Sequence, residues 1–300
     1  MKENNCVAII GGGPAGLTAA LYLGRAHVPC VVFDTDMCGG QMPSSPLLEN
    51  VPGFYGPGVD LAMKMLDEIS KYPSIELANF TKVVKVKFVH YNEQLLILED
   101  GAEMRFQYVI CATGSNPIKL PQLESKNTHY CVTCDGPLYE GKTVAVIGGG
   151  NTALQYALEL TKYAAKIYVC TNEDSLRGEE VMRERVLNEP KIEIRTNFTA
   201  TSFDGKVLEQ TDGPSLTVDG IFVAIGYRTN TDYIDAIKSE GRLFTNINLN
   251  ILSLNLNTIH IYAVGDCRYK PFNQVVIAMS EGCQAALSII RDLEKSNWLT

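Results

Sequence analysis

A chain of 300 residues exceeds what one hydrophobic core comfortably serves and predicts two domains, and its 46% hydrophobic and 20% charged composition is that of a globular protein. A formal net charge of −8 argues against nucleic acid or an anionic membrane as the main partner. No run approaches the roughly 18 apolar residues a membrane helix needs, and the N-terminus leads straight into a strand-like run without the makeup of a secretory leader.

Taken in chain order, residues 6–10 predict a buried strand, 11–16 a glycine turn, 14–27 a helix and 30–33 a second strand. Segments 82–90, 94–98 and 104–111 alternate in polarity and predict an antiparallel meander. The first pattern then recurs: strand 143–147, turn 148–150, helix 151–163, strand 167–170. Segments 192–195, 199–203 and 220–225 stand as the second meander. A last strand within 259–266 and a helix from about 274 to 295 have no parallel unit of their own and complete the first half. The expected class is α/β, with two Rossmann-like three-layer nucleotide-binding domains, the second inserted into the first and each with a meander. Expected boundaries are 1–117 with 245–300 for the first domain and 118–244 for the second, with crossings at 117–121 and 241–245.

The turn Gly11-Gly12-Gly13-Pro14-Ala15-Gly16 satisfies G-x-G-x-x-G between a strand and a helix. Glycines there permit the tight turn, close approach of a diphosphate and close helix–strand packing, and the helix N-terminus faces the phosphate charge. Asp34 ends the next strand, where a carboxylate can accept bonds from a ribose hydroxyl. Gly11, Gly13, Pro14, Ala15, Gly16 and Asp34 are therefore the expected dinucleotide contacts.

Of nine cysteines, only Cys131 and Cys134 form a close pair; the other seven lie singly, mostly in apolar runs, as small buried hydrophobes suited to a reducing, cytoplasmic setting. A C-x-x-C is a zinc half-site, a redox pair or a coincidence. Zinc requires a second ligand pair, and the four histidines are scattered, so no metal site is expected. A redox dithiol is the stronger reading, with Asp135 placed to exchange a proton with a departing thiolate.

The segment Cys131-Val132-Thr133-Cys134-Asp135-Gly136, followed by Val144-Ala145-Val146-Ile147-Gly148-Gly149-Gly150-Asn151-Thr152-Ala153, resembles the signature of low-molecular-weight, bacterial-type thioredoxin reductases. Gly39-Gly40-Gln41, Glu49-Asn50-Val51-Pro52-Gly53-Phe54, Ala112-Thr113-Gly114 and Ala263-Val264-Gly265-Asp266 follow the family order across nearly the whole chain. The resemblance implies FAD in the first half, held also by Gly40, Gln41, Asn50, Thr113, Gly114, Gly265, Asp266 and Gln274. Gln41 and Asn50 would lie by the flavin ring, and Asp266 would bond the ribityl–phosphate chain. It further implies electron flow from flavin through Cys131 and Cys134 to a thioredoxin-like protein, with Cys134 nearer the flavin, a rotating smaller domain, and a homodimer.

One segment departs from the family. Gly148, Gly150, Asn151, Thr152 and Ala153 keep the pyridine-nucleotide turn, but the family's arginines for the 2′-phosphate of NADPH are replaced by Thr171-Asn172-Glu173-Asp174-Ser175-Leu176, and only Arg177 remains. Carboxylates repel a phosphate there. Three donors stay open: NADH with Glu173 or Asp174 on a ribose, a protein donor such as ferredoxin, and NADPH, which ranks below both. A second flavin in this site is a further possibility. The tail tryptophan, Trp298, and Phe54, Tyr55 and Phe272 are either flavin-shielding aromatics or core filling. Competing functions are a ferredoxin–NADP reductase, which lacks a C-x-x-C, and a redox sensor that does not turn over.

Overall fold

The computed structural model describes residues 7–45, 48–90, 92–252 and 260–295. Cys6, residue 259 of the last predicted strand and Trp298 lie outside the described residues. The chain divides into two compact units, Met1–Ser115 with Thr229–Thr300, and Asn116–Arg228.

In the first unit a parallel sheet runs Ile261–Ala263, Tyr108–Cys111, Val7–Ile10, Cys30–Phe33 and Ile75–Ala78. Successive strand side chains point to opposite faces. Val7, Ile9, Cys30 and Val32 pack with Leu17, Leu23 and Ile289 from the helices Pro14–Arg25 and Val275–Lys295. Ala8, Ile10, Val31 and Phe33 pack with Val83, Leu96 and Phe106 of the antiparallel sheet Val83–His90, Glu93–Leu98 and Glu103–Phe106. Burial on both faces explains why these strands are apolar at every position.

The predicted meander strand 104–111 is two strands. Glu103–Phe106 alternates in exposure and stays in the antiparallel sheet, whereas Tyr108–Cys111 is buried throughout and pairs with Val7–Ile10. The chain also returns to the first unit at Thr229, ahead of the 241–245 segment. The reason is packing that no local pattern announces. The hydroxyls of Thr229 and Thr231 donate to the Gly241 carbonyl at 2.6 Å, and Val86 N–H donates to Tyr233 O at 2.7 Å. Tyr233, Ile234 and Leu243 share a core with Val86.

The second unit repeats the plan. Its parallel sheet runs Thr128–His129, Gly220–Val223, Thr143–Ile147, Lys166–Cys170 and Ile192–Arg195. The helices Asn151–Leu160 and Glu180–Leu187 pack on one face. The antiparallel sheet is Ala200–Phe203, Val207–Gln210 and Leu216–Thr217. Of the three segments assigned to this meander from sequence, only 199–203 belongs to it. Ile192–Arg195 and Gly220–Val223 extend the parallel sheet, the latter buried at all four positions. No described helix is long and apolar enough to cross a membrane.

Candidate functional site

The first glycine turn is built to minimum thickness. Gly11 has φ +109°, and a Cβ there would lie 2.3 Å from the Ala112 carbonyl oxygen. A Cβ on Gly16 would lie 1.9 Å from Gly11 O, so the helix can start this close to the strand only with glycine. Gly13, the residue before the helix, offers no side-chain cap, and the first turn holds no acidic residue. The helix terminus therefore keeps its donors and positive dipole end for an anion. Asp34 accepts from Gly12 N–H at 2.6 Å and from Asp36 N–H at 3.0 Å, which fixes the turn. Each of its oxygens retains a second lone pair for a hydroxyl.

The fold brings distant predicted residues together around this turn. Asn50 Nδ2 donates to Gln274 Oε1 at 3.2 Å, and Gln41 Nε2 donates to the Ser115 carbonyl. Thr113 Oγ1 donates to Asn230 O at 2.8 Å. A Cβ on Gly114 would meet nothing within 4 Å, and Gly40 Cβ would press on Gly13 Cα at 2.8 Å. Ser115 Oγ is buried with no hydrogen-bond partner among the described residues. Asp266 is half-buried, and burial raises its carboxyl above the ordinary value, opposed by Lys270 and Arg242. An open cradle, an uncapped helix start and unspent polar atoms fit a dinucleotide cofactor.

Sequence reasoning missed Glu281. Its buried carboxylate accepts from Gly265 N–H at 2.7 Å, Lys270 Nζ at 2.9 Å and Arg268 Nη1 at 2.8 Å. A glutamate on the buried stripe of an otherwise apolar helix was the available signal.

In the second unit Cys131 and Cys134 form a disulfide with Cα atoms 5.3 Å apart. Cys131 caps the short helix Val132–Asp135, its Sγ accepting from Cys134 N–H at 3.3 Å. Both cysteines are half-buried, while Asp135 is buried. The segment is anchored at Tyr130, whose carbonyl accepts from Tyr156 at 2.7 Å and Tyr227 at 3.3 Å. Asp135 Oδ2 lies 3.2 Å from His129 Nδ1, and His129 Nε2 lies 2.7 Å from Tyr139 OH. As a lone histidine near the pair, His129 reads as structural in the sequence; its pairing with Asp135 depends on the fold of the segment. Burial, then Asp135 and Asp219, push the Tyr139 phenol up to about 12.

The remaining described cysteines behave as hydrophobes. Cys30, Cys38, Cys111, Cys170 and Cys267 are buried and Cys283 is half-buried. Burial pushes the thiols of Cys38 and Cys170 up to about 12, which keeps them protonated and unreactive. Of the three aromatics, Phe54 packs on the first core, whereas Tyr55 and Phe272 are exposed.

The second glycine turn keeps its shape: Gly148 has φ +137°, and a Cβ there would lie 2.4 Å from Ala224 O. Its surroundings are altered. Arg177 Nε pairs with Glu173 Oε2 at 2.6 Å. At the helix start, Asn151 Oδ1 accepts from Glu179 N–H at 2.7 Å, and Asn151 Nδ2 donates to Glu179 Oε1 at 3.3 Å. A carboxylate thus stands near the helix terminus, and the surviving arginine is already neutralised.

Two dinucleotide-type units, one of them carrying a C-x-x-C disulfide, define a dithiol–disulfide oxidoreductase. A family model described as pyridine nucleotide-disulphide oxidoreductase matches residues 5–282. The chain is 34% identical to the "34.2 kDa protein in rubredoxin operon" of Clostridium pasteurianum, covering 96% of this chain and 97% of that protein. It is 32% identical to thioredoxin reductase of Helicobacter pylori, over 96% and 98%. The crystal structure of thioredoxin reductase from Streptococcus pyogenes superposes with a TM-score of 0.88 at 27% identity, covering 97% of this chain and 99% of that one. The chain belongs to the pyridine nucleotide-disulphide oxidoreductases, as a flavoprotein enzyme of the low-molecular-weight, bacterial-type thioredoxin reductase family.

Proposed function

We propose that the protein is an FAD-dependent disulfide reductase that serves a thioredoxin-like protein through Cys131 and Cys134, with reduced ferredoxin or NADH as its electron donor in place of NADPH. Bound flavin supplies two-electron chemistry to the disulfide. The chain's own part is to hold the diphosphate at the start of helix Pro14–Arg25, to present a half-buried dithiol, and to keep Asp135 beside Cys134 for proton exchange. The relatives named thioredoxin reductase support the partner class. The family resemblance also supports a cytoplasmic homodimer, which light scattering of the purified protein would test.

The observation that carries the donor reading is the Glu173–Arg177 pair together with Glu179 at Asn151. A 2′-phosphate entering there meets one arginine that must first leave a carboxylate, and two further carboxylates. Charge-assisted bonds to phosphate are the strong ones, and here their donors are absent or spent. The intact turn at Gly148 to Gly150 keeps NADH in contention beside a protein donor. Anaerobic flavin bleaching near 450 nm, with NADH, NADPH and reduced ferredoxin offered separately, is the test. Rapid bleaching by stoichiometric NADPH overturns the donor reading. Cys131→Ser and Cys134→Ser should each abolish thioredoxin reduction with FAD retained; continued turnover in either removes the dithiol from the pathway.

A further inference from the structure

A carboxylate that takes a proton from a buried thiol must pass it on before it can act again. Asp135 is poorly placed to do so alone, being only 7% exposed. Its two oxygens have different surroundings. Oδ1 is buried with no hydrogen-bond partner among the described residues, which leaves it available to a cysteine of the adjoining pair. Oδ2 faces His129 Nδ1 at 3.2 Å, with both side chains about nine-tenths buried (12% and 10% exposed).

The histidine continues outward. When Asp135 carries the proton, it donates to Nδ1, and Nε2–H donates to the Tyr139 hydroxyl oxygen at 2.7 Å. His129 and Tyr139 both line a cavity of about 420 Å³ whose wall includes Lys126, Lys142, Lys206 and Asp219. Asp135 is not among the residues that line the cavity, which is large enough for several waters. Ring contacts fix the imidazole in this bridge, with centroids 5.2 Å from both Phe222 and Tyr139. Tyr156 also feels the charge of Asp135, and its phenol is turned to Tyr130 O and Tyr227.

We infer that His129 is a proton-relay residue for the dithiol, carrying protons between Asp135 and the Tyr139-lined cavity during thiol–disulfide exchange. The inference rests on the disulfide-reductase reading above. In the exchange, the thiolate of one cysteine attacks the partner disulfide, whose S–S bond breaks as a mixed disulfide forms and one partner sulfur leaves with the electron pair. The second cysteine gives its proton to Asp135 and attacks the mixed disulfide. The Cys131–Cys134 bond forms and the second partner sulfur leaves. Two electrons have passed from the dithiol to the partner, and the departing sulfurs take up protons from solvent. The proton left on Asp135 exits through His129, resetting the carboxylate. His129 touches neither sulfur in this scheme and acts through Asp135.

The test uses holoprotein reduced anaerobically with dithionite, desalted, and mixed in stopped flow with oxidised thioredoxin or with an aromatic disulfide, so that no physiological donor is needed. His129→Asn keeps a donor toward Asp135 but cannot shuttle a proton. It should exchange about tenfold more slowly, and its rate should climb with the concentration of imidazole buffer while the wild-type rate does not. Tyr139→Phe, which preserves the ring packing, should show the same buffer response in smaller measure and guards against misfolding of the first variant. A His129→Asn protein as fast as wild type, or slow with no response to buffer, overturns the relay and reduces His129 to a packing residue. A wild-type protein that reduces neither substrate overturns the disulfide-reductase reading, and the relay with it.

Discussion

Replacing Glu281 with Gln tests whether the buried acid–base cluster holds the Gly265–Asp266 corner. The carboxylate accepts three donors, from Gly265, Arg268 and Lys270, at 2.7 to 2.9 Å. An amide in the same space turns one acceptor into a donor and removes the charge. Arg268 keeps its bond to Thr245 Oγ1, but Lys270, with its side chain 5% exposed, is left among the described residues with Asp266 at 3.8 Å. Breaking a buried pair from one side costs about 3–5 kcal/mol, because the surviving charge stays out of water. For a unit of this size, that lowers the melting temperature by about 6–20 °C. Scanning calorimetry of the holoprotein measures it, and flavin fluorescence reports release in the same sample. Replacing both partners, Glu281→Leu with Lys270→Met, should recover part of the loss, since no unpaired ammonium remains. A Glu281→Gln protein melting within about 2 °C of wild type refutes the reasoning, for it would mean the cluster is hydrated and its charges uncoupled.

Gly11→Ala adds a Cβ 2.3 Å from Ala112 O at φ +109°, and the combined strain and overlap of about 2–6 kcal/mol should yield protein that loses its flavin on gel filtration; a fully yellow, wild-type-stable variant rejects the turn geometry. Glu173→Arg frees Arg177 and adds a second cation, so NADPH-driven flavin bleaching should speed at least about tenfold, as one charge-assisted phosphate bond of about 1.5–3 kcal/mol allows. An unchanged rate would place the obstacle elsewhere, at Glu179. Asp219 is held below its ordinary value of 3.8 by Lys206 and the Thr143 N–H. A lowered folded-state pKa stabilises above the unfolded value and is lost as pH falls through the folded one. Asp219→Asn should therefore lower the melting temperature of the second unit near neutrality, with the gap to wild type closing below pH 3.8; a gap that persists in acid contradicts the linkage.

What the chain spells out locally, it spells out well. The strand–turn–helix units at 7–33 and 143–170 were legible because a buried parallel strand must be apolar throughout and a diphosphate turn must be glycine at set positions. The redox pair was legible because three-residue spacing by itself brings two sulfurs within bonding reach. The partner of a strand is not written in the strand: Tyr108–Cys111, Ile192–Arg195 and Gly220–Val223 read as meander until the sheet order showed them between or beside parallel neighbours. Residues 229–244, expected in the second domain, fall in the first compact unit, because Tyr233 bonds Val86 and Tyr233, Ile234 and Leu243 share its core far back along the chain.

The site divides along the same line. Composition and spacing named Cys131, Cys134, Asp135 and the glycine turns, and the resemblance to the family exposed the missing arginines from residue 171 onward. Only the tertiary structure paired Asn50 with Gln274, tied Arg177 to Glu173, set Glu281 under Gly265 and turned His129 onto Asp135. Backbone conformation is dictated by what each residue and its near neighbours permit, so the sequence records it. A hydrogen bond across the fold depends on where two side chains are carried by everything between them, and that is decided only when the cores close.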